Sequence, residues 1–158
     1  MNTKFDFKKE YKNLYSSKQK PALVDIPPFK FIMIDGKGKP KGENYQNAMQ
    51  ILYSITYTIK MSKKENNLIN GYYEYVVPPL EGLWCLEDNK CNFNISKAKW
   101  LWTSMIAQPN FVTKEIFDWA LNECKTKKTN LDFSKVRFET FCEGLCVQAM
   151  HIGPYDEE

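Results

Sequence analysis

Residues 29–60, FKFIMIDGKGKPKGENYQNAMQILYSITYTIK, contain the pattern that decides the fold class. Phe29–Asp35 is typical of a strand that becomes buried toward its end. The glycines and proline of residues 36–42 predict a loop. From Glu43 to Lys60, apolar side chains recur at every third or fourth position, which predicts a helix with one apolar face. The stretch therefore predicts a strand, a loop and a helix in succession.

The remaining sequence adds more strands and one more helix. A second helix is predicted at 111–125, and Thr113 is its expected N-cap. Residues 142–144 are expected to form a turn between the last two strands. The further predicted strands are 71–77, 80–86, 99–106, 136–141 and 145–152. The fold class that follows is α+β, with an antiparallel sheet and helices on one of its faces.

Composition excludes several classes of protein. The chain has 158 residues, of which 43% are hydrophobic and 26% are charged, so it is neither disordered nor fibrous. No run approaches the roughly eighteen apolar residues of a membrane span. Residues 1–10 lack the apolar segment of a secretory signal. We therefore expect a cytoplasmic protein whose five cysteines are reduced.

The net charge of +3 comes from the start of the chain. Residues 1–20 hold six lysines against Asp6 and Glu10, and the rest of the chain is nearly neutral. Arms whose only basic residue is lysine are most often solvated surface, and Arg137 is the single arginine of the chain. We therefore expect no direct binding of nucleic acid and no membrane partner.

A motif near the end of the sequence points to a known family. VRFETF at 136–141 is followed by EGLCVQAMHIGPYDE at 143–157, which contains the pattern H-x-G-P-Y-(D/E)-E. This segment resembles the GyrI-like small-molecule-binding domain. FIMIDGKG at 31–38, YVVPPLEGLW at 75–84 and the segment from Trp102 to Thr113 resemble the stand-alone bacterial branch of that family. The resemblance covers nearly the whole chain.

The resemblance implies a duplicated strand–helix–strand–strand module whose two copies enclose a ligand pocket between their sheets. On this basis we expect a basic N-terminal arm at 1–28 and a GyrI-like domain at 29–158. Within the domain, we expect the first module at 29–108, a linker helix at 111–126 and the start of the second module at 136–158. Relative to the family, the sequence stops before the rest of the second module and a pocket Glu, so the second copy is expected to be incomplete.

The resemblance also implies a function. Family members bind small aromatic or cationic molecules, and some stand-alone members hydrolyse cyclopropane-bearing compounds that alkylate DNA. We therefore expect a protective protein that binds small hydrophobic or cationic aromatic xenobiotics. One alternative is a hydrolase that opens cyclopropane rings with a pocket Glu. Another is an interaction module that inhibits a partner such as DNA gyrase.

A pocket for a flat cation needs aromatic faces and a carboxylate. Among the glutamates set in apolar strands, Glu81 is the first candidate because Pro79 and Gly82 flank it within the family-like motif. A Glu in a dry pocket has a raised pKa and can take a proton from water, so Glu81 is also the catalytic candidate. The alternative for any of these glutamates is an exposed strand edge. The glutamates considered are Glu74, Glu81, Glu139 and Glu143.

Aromatic residues and methionines supply the candidates for ligand contact. Trp100 and Trp102 would share one face of a strand about 6.6 Å apart and could line a wall of the pocket. Packing in the core is an equal alternative for this pair. The full set of ligand-binding candidates is Tyr75, Trp84, Trp100, Trp102, Met105, Phe138, Met150 and Tyr155.

No metal or cofactor is expected. Cys142 and Cys146 are spaced C-x-x-x-C, unlike the C-x-x-C of zinc sites, and His151 is the only histidine. Residues 36–38 complete neither of the common phosphate-binding loops. The expected partner is a small-molecule ligand. A second copy of the chain is a further candidate, because a half-built second module would leave an unpaired strand edge.

Overall fold

The structure, a computed structural model, describes residues 4–65, 69–87 and 99–153. Six strands and four α-helices lie within these ranges, and a short 3₁₀ helix, Ser62–Glu65, follows the third helix. In chain order the elements are α1 (Phe7–Glu10), α2 (Lys12–Tyr15), β1 (Ala22–Ile26), β2 (Phe29–Lys37), α3 (Glu43–Met61), β3 (Leu80–Leu86), β4 (Trp100–Gln108), α4 (Lys114–Lys127), β5 (Val136–Phe141) and β6 (Gly144–Gln148).

Four strands form an antiparallel sheet in the order β3-β4-β2-β5. The central strand β2 pairs with β4 from Lys30 opposite Gln108 to Lys37 opposite Leu101. Helices α3 and α4 pack on one face of this sheet. The predicted α+β class with an antiparallel sheet is therefore confirmed, and the two long helices, α3 and α4, lie together on one face as expected. None of the helices described is both long enough and apolar enough to cross a bilayer.

Strand alternation directs one set of side chains to the helices. Ile32 of β2 and Ile106 of β4 point to this face and meet Leu52 and Ile55 of α3, and all four are fully buried. Burial of one such side chain stabilises the fold by about 1.5–3 kcal/mol. α4 joins the same core, and the hydroxyl of its N-cap, Thr113, accepts a hydrogen bond from the Ile116 amide, as the sequence predicted.

The N-terminal arm, residues 4–20, covers the opposite face of the four-stranded sheet. Phe7 is buried there, beside Phe31 and Met105, which alternate with the residues facing the helices. The lysines of the arm remain exposed, as expected for solvated charge. The arm therefore packs through its aromatic side chains and keeps its basic groups in water.

A second, two-stranded antiparallel sheet is formed by β1 and β6. Its register runs from Ala22 opposite Gln148 to Ile26 opposite Gly144. The sequence pattern did not predict β1, which lies inside the segment expected to be an arm. The outward face of this sheet carries Leu23, Leu145 and Val147, which are all exposed.

The expected turn between β5 and β6 needs a correction. Residues 142 and 143 connect the strands and lead into Gly144, the first residue of β6. They carry the chain from one sheet to the other instead of closing a hairpin, because β5 pairs with β2 and β6 pairs with β1. Gly144 has a φ of +71°, a conformation that glycine adopts without strain. β5, the first strand of the expected second module, lies beside β2 in the four-stranded sheet.

The strand predicted at 71–77 does not form. Among the described residues, its one β contact is a parallel bridge between Tyr75 and Phe5 of the arm. The Phe5 amide donates to the Glu74 carbonyl at 2.9 Å, and the Val76 amide donates to the Phe5 carbonyl at 2.8 Å. A strand needs a longer partner than the short extended part of the arm provides, so pairing stops after one bridge.

Candidate functional site

A pocket of about 340 Å³ lies between the two sheets and against the N-terminal arm. Phe29, Phe31 and Met105 line it from the four-stranded sheet, and Ile26 and Gln148 line it from the two-stranded sheet. The arm closes one side with Leu14, Tyr15 and Ser17. The volume lies in the range of small-molecule sites, which are usually concave and mostly apolar.

Aromatic rings make up much of the pocket wall. Phe29 and Phe31 face the same side of β2 because they are two residues apart, and their ring centroids are 6.4 Å apart. The Phe31 ring also meets the Phe141 ring at 6.4 Å, and Tyr11 of the arm meets Phe29 edge-on at 4.8 Å. These contacts fix the rings before any ligand is bound, which lowers the entropy lost on binding.

Glu81 places a carboxylate in this aromatic pocket. It lies on β3 opposite Met105, so its side chain points away from the helices. The Tyr15 hydroxyl donates a hydrogen bond to Glu81 Oε1 at 3.0 Å. Burial raises the pKa of Glu81, the bond from Tyr15 opposes this rise, and the neighbouring Glu143 adds to it. The pKa of Glu81 is therefore raised above its ordinary value.

The charge of the pocket is negative. Glu143, on the connection between β5 and β6, is the second carboxylate in its lining. Among the described residues that line the pocket there is no lysine or arginine. Two carboxylates with no basic residue among the described residues around them in the lining create a potential that attracts cations.

The other two glutamates considered from the sequence lie outside the pocket. Glu74 forms an ion pair with Lys60 at 3.1 Å, and Glu139 forms one with Arg137 at 3.2 Å. Paired side chains of this kind are typical of solvated protein surface. Of the four candidates, the structure brings Glu81 and Glu143 together in the pocket.

The three strand tryptophans lie on the other side of the sheet. Trp102 shares the helix-facing side of β4 with Ile106, and Trp84 lies directly opposite it on β3. Tyr45 of α3 packs against Trp102 at 5.1 Å and against Trp84 at 5.6 Å, and Trp100 meets Trp84 at 6.2 Å. The structure therefore gathers these rings into an aromatic cluster away from the pocket.

The remaining candidates are scattered, apart from Met105, which lines the pocket. Phe138 faces α4 and stacks on Phe117 with ring centroids 5.6 Å apart. Tyr75 is 1% exposed and packs under Lys60, outside the pocket. Met150 follows β6 and is exposed, and Tyr155 lies outside the described residues.

Several pocket residues were not selected from the sequence. Phe29, Phe31 and Phe141 were assigned to strands, but only the pairing register shows that they share the face of Glu81. Tyr15 lies 66 residues before Glu81, and no local pattern links the two. The alternation of side chains along β2 was the available signal for these pocket residues, because it places Phe29 and Phe31 on one face of the strand and Ile32 on the other.

No group of three or more potential metal-ligating side chains is found in the described part of the chain. The thiols of Cys142 and Cys146 lie against backbone carbonyls, at 3.6 Å from Ile26 and 3.4 Å from Gly144 respectively.

A concave pocket lined by aromatic side chains has the features of a small-molecule site. The family model of the GyrI-like small molecule binding domain matches residues 19–158, and the chain belongs to this family. The expectation from the sequence motifs is thereby confirmed.

Solved structures of related proteins share this fold. A hydrolase from Listeria innocua is 49% identical, with a TM-score of 0.85, and the match covers 98% of this chain and 77% of the hydrolase. A second structure of a hydrolase from Listeria innocua is 48% identical, with a TM-score of 0.89 and coverage of 98% and 75%. An uncharacterized conserved protein from Listeria innocua is 48% identical, with a TM-score of 0.89 and coverage of 98% and 74%. The search of curated proteins gave no match.

Proposed function

We propose that the protein binds small hydrophobic cations with an aromatic body in the pocket between the two sheets. In this proposal it acts in the cytoplasm and protects against xenobiotic compounds. The observation that carries the proposal is the half-buried carboxylate of Glu81 in a pocket walled by aromatic rings.

The electrostatics favour a cation over a neutral ligand of the same shape. An ionised carboxylate that loses water to a neutral guest is left without compensation. A cation next to Glu81 offsets that cost, and the faces of Phe29 and Phe31 add an attraction to its positive charge. A flat cationic ring system is therefore the guest that uses both features of the pocket.

Matched ligands test this preference. N-methylquinolinium is a permanent cation, and 1-methylnaphthalene has nearly the same shape without the charge. We expect the wild-type protein to bind the cation about 30-fold more tightly, which corresponds to about 2 kcal/mol. Glu81→Gln should greatly reduce this preference, because the amide carries no charge and only the exposed Glu143 carboxylate remains in the lining. Fluorescence of the ligands and calorimetry give the dissociation constants.

Glu139→Gln is the matched control. Glu139 also lies on the four-stranded sheet, but it pairs with Arg137 outside the pocket. This variant should keep the wild-type preference for the cation. Equal affinities of the wild-type protein for the two ligands would refute the proposal.

A second candidate function is hydrolysis of a strained electrophile, and the two related hydrolases favour it. In this reaction Glu81 would take a proton from a water molecule held in the pocket. The water oxygen would form a bond to a cyclopropane carbon as a ring carbon–carbon bond breaks. The released electron pair would pass to a conjugated carbonyl oxygen, which would then receive the proton from Glu81.

Turnover distinguishes the two functions. The protein would be incubated with an excess of a cyclopropane-bearing alkylating compound, and the hydrolysed product would be followed by mass spectrometry. More than one equivalent of product per protein, lost in Glu81→Gln, supports hydrolysis. If the protein protects one equivalent of the compound by binding it and no hydrolysed product forms, the result supports binding alone.

A further inference from the structure

We infer that Tyr15 is a positioning residue for ligand binding, because its hydroxyl holds the Glu81 carboxylate ready to pair with a cation. The inference rests on the proposed function of the pocket, and it assigns the N-terminal arm a part in recognition that family membership alone does not.

The arm is fixed on both sides of Tyr15. One residue before it, the Leu14 carbonyl accepts a hydrogen bond from Gln148 Nε2 at 2.6 Å. Three residues after it, the Lys18 carbonyl accepts one from the Met150 amide at 2.9 Å. Both donors belong to β6 or to the segment that follows it. The two-stranded sheet therefore sets the position from which Tyr15 reaches Glu81.

The hydrogen bond leaves part of the carboxylate available. Tyr15 engages Oε1 of Glu81, and no described residue donates a hydrogen bond to Oε2. Burial and the nearby Glu81 charge raise the pKa of the Tyr15 phenol, so the phenol keeps its proton and remains a donor at neutral pH. A bond to one oxygen fixes the plane of the carboxylate while the second oxygen stays open to a ligand.

Two neighbours act on Glu81 in opposite directions. Tyr15, from the arm, favours the ionised form by donating a hydrogen bond, and Glu143, from the β5–β6 connection, disfavours it by charge repulsion. Gln148 of β6 is neutral, and Tyr11 of the arm interacts with Tyr15. Removing the Tyr15 hydroxyl should therefore move the titration of Glu81 to higher pH, and Glu143→Gln should move it to lower pH.

The test is a carboxyl ¹³C NMR titration of Glu81 in the ligand-free full chain. Tyr15→Phe should raise the midpoint by about one pH unit, since a hydrogen bond to a charged acceptor is lost. Tyr11→Phe is the matched control, because it removes a hydroxyl from the same arm without touching Glu81. At pH values below the wild-type midpoint, Tyr15→Phe should also weaken N-methylquinolinium binding by up to about tenfold, because a smaller fraction of Glu81 is ionised.

A second substitution covers the case in which Tyr15→Phe fails to fold. 3-Fluorotyrosine at position 15 keeps the ring and the hydroxyl but is a stronger donor, and it should lower the Glu81 midpoint. An unchanged midpoint in either variant overturns the inference, even where the wild-type protein binds N-methylquinolinium. Failure of the wild-type protein to bind that cation, with the midpoint shifted as expected, overturns the proposed function instead.

Discussion

Gly36→Ala is expected to lower the free energy of unfolding by about 3 kcal/mol, the upper end of the usual range for overpacking. Gly36 lies directly opposite Trp102 in the β2–β4 pair, and the indole ring lies across the glycine backbone. A Cβ at this position would be 2.2 Å from two ring carbons of Trp102. Trp102 is only 4% exposed, so its ring has little room to move away. Urea denaturation measures the loss.

Gly82→Ala is the matched control for this prediction. A Cβ on Gly82 would be 2.7 Å from the indole nitrogen of Trp84, which is also too close an approach, on the edge strand β3 of the same sheet. Trp84 is 38% exposed and can turn toward solvent, so we expect a loss below about 1 kcal/mol. Equal losses in the two alanine variants would contradict the explanation, because they would show that the burial of the indole does not matter.

Phe7→Ala is expected to lower the free energy of unfolding by about 3–4 kcal/mol, as for other buried phenylalanines. Phe7 is 3% exposed, and its ring meets Phe5 at 5.1 Å and Phe29 at 6.1 Å. It is the buried residue of α1, so its loss leaves a cavity between the arm and the sheet. Because the same arm carries Tyr15, affinity for N-methylquinolinium should fall as well.

Phe7→Leu is the control variant, because it separates the loss of packing in Phe7→Ala from the other effects of replacing Phe7. Leucine fills most of the volume and should cost less than about 1.5 kcal/mol. Thermal unfolding and ligand binding would be measured on both variants. If Phe7→Ala retained the wild-type stability, the arm could not be held to the sheet by this side chain.

The main elements of the fold could be predicted from local patterns. The strand at Phe29 and the helix at Glu43 each follow from the spacing of apolar residues, and the structure begins both elements at those residues. Strand β3 has the predicted bounds, Leu80–Leu86. Strand β2 and helix α3 bury an apolar face, and burial then dictates the same conformation that the local pattern favours.

Pairing between distant segments could not be predicted in the same way. β1 is short and has no buried residue, and it becomes a strand because β6, more than a hundred residues later, supplies its partner. Tyr75 has strand propensity, but it finds a single bridge to the arm. Glu81 was selected from its motif, whereas the rings around it depend on which face of the sheet each strand presents. Register decides that choice, because a shift of one residue exchanges the two faces.

The separation of the tryptophans from the pocket has a practical consequence for spectroscopy. None of the four indoles of the chain lines the pocket, and the fourth, Trp119, packs with the helix-side core. A guest between the sheets cannot touch an indole, so intrinsic emission follows the folding of the helix-side core. A fluorescent guest reports its own occupancy at another wavelength. One sample can therefore yield folding and occupancy as two independent optical signals.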